Sequence, residues 1–504
     1  MGEKVENIMD RKIREMKTMR QVLEKFEEYL EGKRVFRYME GNSVRDVFAD
    51  QFFFDVRGAA SLLWREGLVG KHIGIMGSNS YIWMVCLCSV FWTGSVAVLF
   101  DRELNENELC TRARRVELDA LFYEDNLKEH ICGAKLPDGV RMMPFGQVKE
   151  TSEFESSREE NLDKDGNDLA CIFFTSGTTA VSKAVMMSEH GLVAGICHSI
   201  NDRKFRSLLA VLPFHHLSGF SSVLNALYLG AEVCIAGDLK YFYRYLEVMK
   251  PEYVFVVPSM LRMLARKLKN GGPNGRLLGW NLRLINCGGA DFCPEFLQVF
   301  LECGVVVLQG YGASEAGGIG FLWEMTTEHP DTIGKPPAEI EVKIMDGELY
   351  LRSESLMLGY YGDEAATALV LHDGWYATGD LCKADHEGYL YLTGRKKNLI
   401  VLSNGENISP EAVEKKLYQF KEICEVVVSA EGNLLAAAVL PRYPEECTEQ
   451  EAERIRQKVS QDIEQYNQSV PLYEQIQLLH FINMPMEKTS LGKMIRPRFS
   501  CRSE

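Results

Sequence analysis

The residues with the clearest chemical meaning lie in a short loop of small and hydroxyl-bearing side chains. An apolar run at residues 170–174 leads into Thr175-Ser176-Gly177-Thr178-Thr179, and Lys183 follows. In such a loop, glycine lets the backbone approach an anion, and N–H groups, hydroxyls and a lysine donate to its oxygens. The pattern favours a phosphate-binding loop, although alone it also fits a Ser/Thr-rich turn. It is not a Walker P-loop, because the second glycine and the magnesium-binding hydroxyl of that motif are missing.

The composition argues against several other classes of function. The 504 residues carry a formal net charge of −15, whereas a nucleic-acid-binding protein usually presents a basic face, so we expect no nucleic-acid partner. The 14 cysteines include no Cys-x-x-Cys pair, which indicates buried free thiols rather than zinc sites or disulfides. The N-terminal residues form no apolar signal core, and we expect a cytoplasmic protein.

One apolar stretch is long enough to imitate a membrane span. Residues 81–100 hold no charge over 20 positions, which is the length of a transmembrane helix. Gly94 and Ser95 divide the stretch into a helical part and a strand-like part. We therefore expect a buried helix–strand pair and no membrane span.

Strand-like runs alternate with helical patterns along most of the chain, which predicts an α/β fold with largely parallel sheets. The segments typical of strands include residues 72–76, 120–123, 232–235, 253–257 and 282–286, and those typical of helices include residues 259–270 and 449–468. Residues 8–30 predict an amphipathic helix solvated on the surface.

The pattern changes near residue 394, where a basic run precedes a new apolar strand. We expect a large N-terminal domain of parallel and mixed sheets with helices over residues 1–394. A hinge would follow at residues 395–398, and a small α+β domain would occupy residues 399–504.

The phosphate loop resembles the signature of the adenylate-forming superfamily, which comprises acyl-CoA synthetases, adenylation domains and luciferases. Ala180 and Ala184 stand where that signature has glycine, and Ser182 where it has proline. Further segments similar to the family's signatures follow in the family's order: Pro213–Gly219, Cys287–Ala290, Gln309–Glu315, Gly359–Tyr361, Gly374–Asp380, Gly394–Arg395, Asn404–Glu411 and Thr489–Lys493. The resemblance spans roughly residues 40–500 and is greatest to the AMP-forming acyl-CoA synthetases.

This resemblance implies that a carboxylate attacks the α-phosphorus of ATP, that pyrophosphate leaves, and that a thiol then takes the acyl group. Lys493 would bridge the carboxylate and the α-phosphate. Glu315 would bind Mg²⁺, a cation that prefers oxygen ligands, and the hydroxyl of Ser314 would contact the α-phosphate.

The resemblance also implies a set of cofactor-binding residues. Asp380 would accept hydrogen bonds from the ribose diol, Arg395 would contact ribose or phosphate, and Tyr311 would stack on adenine. The whole implied set is Thr175, Ser176, Gly177, Thr178, Thr179, Lys183, Gly289, Ala290, Tyr311, Gly312, Asp380, Arg395 and, near the incoming thiol, Gly405.

The small domain of such enzymes is mobile, and Lys397 falls where the family places its hinge. Rotation would exchange Lys493, used for adenylation, for the segment at residues 403–408, used for thioester formation.

Two histidines lie in the segment that would border the acyl group. His216 aligns with the family's histidine as an acyl gate, and His215 takes the place of an aromatic residue; a packed core histidine is the other interpretation of His216. Residues 219–223 and 286–290 would line the acid's tail. The segment from Pro213 to Gly219 lacks the aspartate with which relatives bind an α-ammonium group. A buried ammonium without a counter-charge is costly, so we expect an apolar acid.

Three functions remain open at this point. The first is an AMP-forming acyl-CoA synthetase that uses ATP, Mg²⁺ and coenzyme A on a fatty or other apolar carboxylic acid. The second is a stand-alone adenylating enzyme that loads a carrier-protein phosphopantetheine. The third is a catalytically degenerate nucleotide-binding protein, motivated by Ala180, Ser182 and Ala184. The acid's chain length and the oligomeric state cannot be read from the sequence.

Overall fold

The computed structural model of the chain describes residues 13, 15–149, 164–175, 182–197, 204–271, 281–288, 294–318, 321–326, 328–329, 332–402, 406–444 and 446–486. Its helices are α1 Met19–Leu30, α2 Ala49–Arg65, α3 Tyr81–Trp92, α4 Glu106–Arg115, α5 Lys128–Gly133, α6 Phe145–Lys149, α7 Glu189–Cys197, α8 Leu217–Tyr228, α9 Phe242–Met249, α10 Pro258–Gly271, α11 Pro294–Glu302, α12 Glu364–Ala368, α13 Pro410–Leu417 and α14 Glu449–Gln468.

The strands, again in chain order, are β1 Arg34–Glu40, β2 Ser43–Phe48, β3 His72–Met76, β4 Val96–Phe100, β5 Ala120–Tyr123, β6 Arg141–Pro144, β7 Leu169–Thr175, β8 Lys183–Ser188, β9 Ser207–Ala210, β10 Glu232–Ile235, β11 Tyr253–Val256, β12 Leu284–Gly288, β13 Val306–Tyr311, β14 Phe321–Glu324, β15 Glu341–Met345, β16 Glu348–Arg352, β17 Gly359–Tyr360, β18 Leu371–His372, β19 Trp375–Ala384, β20 Leu390–Arg395, β21 Ile400–Val401, β22 Asn407–Ile408, β23 Ile423–Glu431, β24 Leu434–Pro441 and β25 Ile476–Phe481.

Two large sheets with parallel centres confirm the predicted α/β fold. One has the order β14-β13-β12-β11-β9-β10-β1-β2, and its antiparallel pairs are at the two edges. The other has the order β17-β8-β7-β4-β3-β5-β6 and is parallel from β7 to β6. The central strands are almost continuously apolar, as expected of strands whose two faces are both covered. The largest hydrophobic core contains residues of both sheets together with helices α1, α2, α3, α7 and α8.

The apolar stretch at residues 81–100 forms the expected buried helix–strand pair. Every residue from Ile82 to Trp92 in α3 is buried, and Gly94 takes φ +67°, a backbone conformation that favours glycine, before β4 begins. Within the part of the chain that the structure describes, no helix combines the length and the apolar character that crossing a membrane requires.

The N-terminal helix differs from its prediction in both length and burial. In the described residues it begins at Met19, because the hydroxyl of Thr18 accepts the N–H of Gln21 and caps it. Its apolar face, which includes Val22 and Phe26, lies in the central core, so it is not merely a solvated surface helix.

The cysteine prediction is confirmed only in part. Every cysteine that the structure describes is a free thiol, but only some are buried. Cys132 and Cys424 are exposed. No group of three potential His, Cys, Asp or Glu metal ligands is present among the described residues.

Two smaller units complete the fold. An antiparallel sheet of β15, β16, β18, β19 and β20 carries several of the predicted site residues. Beyond it, β21 to β25 with α13 and α14 enclose a separate apolar core. Strand β25 pairs in parallel with β24, and the sequence patterns did not predict it.

Candidate active site

The predicted nucleotide-binding residues lie where strands end. Strand β7 ends at Thr175, before the phosphate loop, and β12 ends at Gly288. Strand β13 ends at Tyr311, and the half-buried residues Ser314 and Glu315 follow in a short 3₁₀ turn. Ligand sites of α/β proteins collect at the carboxyl ends of parallel strands, so the fold itself brings these segments together.

A buried tyrosine connects the predicted phosphate lysine with the predicted metal carboxylate. The hydroxyl of Tyr360 donates to Oε1 of Glu315 at 3.0 Å, and Nζ of Lys183 lies 4.3 Å from the centroid of the Tyr360 ring. Burial and the adjacent Glu315 carboxylate raise the pKa of Tyr360, so its hydroxyl remains a donor. Lys183 therefore lies against the ring of Tyr360, and Glu315 accepts a hydrogen bond from its hydroxyl.

Arg115 fixes the backbone around this tyrosine. Its guanidinium donates to the carbonyl of Ser182 at 3.0 Å and to the carbonyl of Tyr361 at 3.3 Å. Tyr360 itself pairs with Val185 in the antiparallel register of β17 and β8. The start of β8, and with it Lys183, is thus tied to the Tyr360 segment by both backbone and side-chain contacts.

Asp380 is held through both its carboxylate and its backbone N–H. It is 4% exposed, and its Oδ2 accepts a hydrogen bond from the hydroxyl of Tyr311 at 2.8 Å. The guanidinium Nε of Arg395 lies 2.6 Å from Oδ1, and the two residues are cross-strand partners on β19 and β20. The backbone N–H of Asp380 donates to Oγ1 of Thr378 at 3.0 Å, so both the backbone and the carboxylate are oriented. Three of the predicted residues, Tyr311, Asp380 and Arg395, are therefore in direct contact.

Tyr311 makes contacts beyond the adenine stacking that the resemblance implies. Burial, and then the charge of Asp380, raise the pKa of Tyr311 far above its usual range. One neighbour of the ring is Phe321, stacked at a centroid distance of 5.5 Å. The tyrosine thus orients Asp380 as a permanent donor, a contact that the sequence did not predict.

The predicted hinge separates two groups of contacts. Before Lys397, Arg395 pairs with Asp380, and Nζ of Lys396 donates to Oε2 of Glu348 at 2.7 Å. After Lys397, the amide of Asn398 donates to Glu411 on α13 at 2.5 Å. The side-chain hydrogen bonds thus change partner between Lys396 and Asn398, although the backbone of Gly394 already packs against Ser409.

Gly394, beside this hinge, is required by close packing. It has φ +148°, and a Cβ at this position would lie 2.1 Å from Oγ of Ser409. Ser409 caps α13, so the first turn of that helix lies directly against the glycine.

Charged residues of the candidate site act on the ammonium of Lys397. Surrounding protein and the neighbouring Arg395 lower its pKa, while Asp380 and Glu315 act in the opposite direction. The sequence predicted a pivot at this position; the structure adds an ammonium close to the two carboxylates.

The segment that would border the acyl group is rigidly packed. His216 takes the N-cap position of α8 and lies against His215, with their ring centroids 4.3 Å apart. A Cβ on Gly219 would lie 2.0 Å from the carbonyl oxygen of Pro213, so only glycine fits there. The segment has no acidic residue of its own, but the carboxylate of Asp101 reaches it from the end of β4, 3.4 Å from Nε2 of His215. His216 thus belongs to a different group of contacts from the nucleotide-binding residues.

Comparison with known proteins decides the family. The profile of AMP-binding enzymes matches residues 50–361, and that of the AMP-binding enzyme C-terminal domain matches residues 397–502. This chain belongs to the AMP-binding enzyme family. The family lies within the adenylate-forming superfamily and consists of AMP-forming acid–thiol ligases, so the resemblance inferred from the sequence is confirmed.

Relatives of this AMP-binding enzyme include CoA ligases with different acids. It is 28% identical to the 2-succinylbenzoate–CoA ligase of Staphylococcus aureus (strain MRSA252), over 71% of this chain and 77% of that protein. It is 27% identical to fatty acyl-CoA synthetase B of Dictyostelium discoideum, over 75% of this chain and 69% of that protein. An O-succinylbenzoate coenzyme A synthetase from Bacillus subtilis, solved with ATP and a magnesium ion, superposes with a TM-score of 0.79. It shares 20% sequence identity, over 94% of this chain and 98% of that one.

Several predicted site residues of this AMP-binding enzyme lie outside the described residues, and their roles stay predictions. They are Ser176, Gly177, Thr178, Thr179, Gly289, Ala290, Gly405 and Lys493. Gly312, by contrast, is described and is exposed directly after β13.

Sequence reasoning missed residues that hold others in place. Tyr360 lay within a quoted family segment, but only its contact with Glu315 reveals its role. Thr378 and Glu348 likewise act through hydrogen bonds across the β16–β19 ladder. Periodicity could have placed them on strands, but not beside the carboxylates that they orient.

Proposed function

We propose that this AMP-binding enzyme is an AMP-forming acyl-CoA synthetase that activates a fatty or other apolar carboxylic acid through an acyl-adenylate. One observation carries the proposal. The Lys183–Tyr360–Glu315 contacts and the Tyr311–Asp380–Arg395 contacts would provide partners for phosphate, for a metal ion and for a ribose diol.

The proposed nucleotide contacts follow from the chemistry of each group. Asp380 presents a carboxylate with two oxygens, which suits the two adjacent hydroxyls of ribose. Lys183 and the hydroxyl-rich loop that starts at Thr175 suit the phosphates. The exposed backbone of Gly312 and the hydroxyl of Ser314 lie between these groups in sequence and would face the α-phosphate.

A magnesium ion fits the residues at Glu315. Its half-buried carboxylate is oriented through Oε1 by Tyr360, and hard oxygen ligands suit this cation. Protein sites for magnesium on nucleotides commonly use one or two carboxylates together with the phosphates, so a larger cluster is not needed. When bound, the ion would offset the negative charge of the triphosphate.

The adenylation step requires an anionic acid to approach an anionic phosphate. We assign Lys493 to bridge the acid's carboxylate and the α-phosphate, where positive charge lowers the barrier most. Rotation of residues 399–504 about residues 395–398, relative to residues 1–394, would then replace Lys493 with the segment that contains Gly405.

The acid is proposed to be apolar. Helix α8 presents Phe220 and Val223 to the same hydrophobic core as the neighbouring strands, and His216 would act as a gate at its first turn. The resemblance to a fatty acyl-CoA synthetase is in keeping with a role in fatty acid metabolism, while the succinylbenzoate ligase shows that relatives also accept aromatic acids.

Coenzyme A is the proposed thiol acceptor, because both curated relatives described above are CoA ligases. A carrier-protein phosphopantetheine has the same thiol and is the second candidate. A degenerate nucleotide-binding protein is disfavoured, because the contacts around Glu315 and Asp380 are intact.

ATP–pyrophosphate exchange with a panel of carboxylic acids tests the proposal. We expect exchange that depends on magnesium and on one class of apolar acid, and that is strongly reduced in Lys493→Ala. Addition of CoA should convert exchange into net AMP formation. Exchange without CoA consumption would favour a carrier protein. Absence of exchange with every acid, in protein that binds ATP, would favour the degenerate alternative.

A further inference from the structure

A histidine–carboxylate pair that none of the proposed steps uses lies at the end of β4, the strand beside β7. Asp101 follows β4 directly, and its carboxylate Oδ2 lies 3.4 Å from Nε2 of His215. The His215 side chain is only 10% exposed and that of Asp101 is 24% exposed, so the pair is largely withdrawn from solvent. A charge pair in such a position is costly to desolvate and calls for an explanation.

The sheet register places this pair beside the nucleotide. Strands β4 and β7 are parallel neighbours, with Leu99 opposite Phe173. Asp101 and Thr175 each follow this pair by two residues, at the same end of the two strands. Adjacent strands are about 4.8 Å apart. A carboxylate therefore lies at the sheet edge next to the proposed triphosphate site.

Other contacts hold Asp101 in its charged form. Burial raises its pKa, but the adjacent imidazole of His215, together with the backbone N–H of Glu103, lowers it to about 2. That N–H lies 2.9 Å from Oδ1. Arg112 also contributes positive charge, and its guanidinium lies 5.0 Å from the ring centroid of Phe174 on β7.

His215 connects this carboxylate to the acyl segment. Its ring lies against that of His216, the proposed gate and the N-cap of α8. The resemblance implies an aromatic residue at this position in the family signature, which could pack but could not pair with a carboxylate. The pair thus joins the edge of the phosphate-loop sheet to the start of the acyl-pocket helix.

We propose that Asp101 and His215 are a positioning pair, in which His215 offsets the charge of Asp101 where two anionic substrates meet and holds His216 in place. The proposal rests on the proposed function for the identity of those substrates. Without the imidazole, the Asp101 carboxylate would face the triphosphate unbalanced, and the interaction of unit charges about 10 Å apart would weaken ATP binding roughly tenfold.

The test is a double-mutant cycle on ATP affinity, measured by calorimetry on the full chain. His215→Phe should raise the Kd for ATP roughly tenfold, because it keeps the packing but leaves Asp101 unbalanced. The double variant Asp101→Asn with His215→Phe should return to near the wild-type Kd. As a matched control, Glu431→Gln with His480→Phe removes an exposed His–carboxylate pair of 2.9 Å in the C-terminal unit and should leave the Kd unchanged.

A second readout separates positioning from folding. The KM for the acid in pyrophosphate exchange should rise in His215→Phe, and thermal unfolding of each variant shows that it is folded at the assay temperature. Equal Kd values for ATP in His215→Phe and in the double variant would overturn the proposal. It would also be overturned if the variants differed from wild type in unfolding temperature but not in the Kd for ATP or the KM for the acid. Because ATP affinity is measured without an acid, this result is independent of whether the wild-type enzyme turns over any acid in the panel.

Discussion

Replacing Asp380 with asparagine is expected to weaken ATP binding by roughly 10- to 100-fold. Asparagine has nearly the same shape but only one acceptor oxygen, so one charge-assisted hydrogen bond to the ribose diol is lost. Such a bond contributes about 1.5–3 kcal/mol, and each 1.4 kcal/mol is about tenfold in affinity. The substitution also removes the charge that pairs with Arg395 at 2.6 Å, which makes the upper part of the range the better expectation.

Calorimetric titration with ATP and with 2′-deoxy-ATP provides the assay. Wild-type protein should bind 2′-deoxy-ATP more weakly than ATP, because one partner of Asp380 is absent. In Asp380→Asn the two nucleotides should bind almost equally. Asp373→Asn is a suitable control, since Asp373 is an exposed turn residue of the same sheet with φ +50°, which asparagine tolerates.

Two outcomes would refute this reasoning. If Asp380→Asn bound ATP as tightly as wild type, Asp380 would not contact the ribose. If the variant weakened ATP and 2′-deoxy-ATP by the same factor, the effect would come from displaced Arg395 or Tyr311 instead. Thermal unfolding of each variant shows whether the buried carboxylate, which Tyr311 also contacts, is needed for folding.

Three further predictions concern individual groups. Lys493→Ala should raise the adenylation barrier by about 2–4 kcal/mol in pyrophosphate exchange but spare thioester formation from synthetic acyl-adenylate; equal loss of both would contradict domain rotation. Tyr360→Phe removes the hydrogen bond to Glu315 and should raise the half-saturating magnesium concentration roughly tenfold, and an unchanged requirement would show that Tyr360 does not orient a metal ligand. Because pairing lowers the pKa of Asp101 from 3.8 to about 2, the folded state gains about 2 kcal/mol above pH 4 that is lost as the pH falls towards 2. Urea unfolding should therefore find Asp101→Asn less stable than wild type at pH 7, with the gap closing below pH 4; a gap independent of pH would exclude an ionic origin.

The sequence predicted the fold well where the chain is strongly apolar. Strands β3, β5 and β10 and helix α14 have the predicted bounds, because long apolar or amphipathic runs have only one stable way to be buried. The uninterrupted apolar stretch at residues 81–100 was correctly divided, since Gly94 supplies a conformation that a helix cannot use.

Boundaries and weaker patterns were less predictable. Strand β12 was expected at residues 282–286 and lies two residues later, at Leu284–Gly288, because pairing with β11 and β13 rather than local propensity sets its register. A helix was expected over residues 8–30; among the described residues, 16–18 are not helical, and the Thr18 hydroxyl caps a helix that begins at Met19. Strand β25 has a mixed polar pattern and forms only because β24 offers it a partner.

Part of the candidate site could also be predicted from the sequence, but for a different reason. Short motifs such as Gln309–Glu315 and Gly374–Asp380 resemble family signatures, and that resemblance named Glu315, Asp380 and Arg395 as site residues. Their orienting partners could not, because Tyr360 is 45 residues from Glu315 in the chain and meets it only through the folded sheet edges. The pair of Asp101 and His215 is likewise a product of strand order, since each residue alone is an ordinary polar side chain after an apolar run.

The most direct test of the central claim is a product analysis by mass spectrometry. The enzyme would be incubated with ATP, magnesium, coenzyme A and a panel of fatty and aromatic acids. The account predicts AMP, pyrophosphate and one acyl-CoA in equal amounts with an apolar acid. Formation of ADP and phosphate, or no acyl-CoA from any acid in protein that binds ATP, would contradict it.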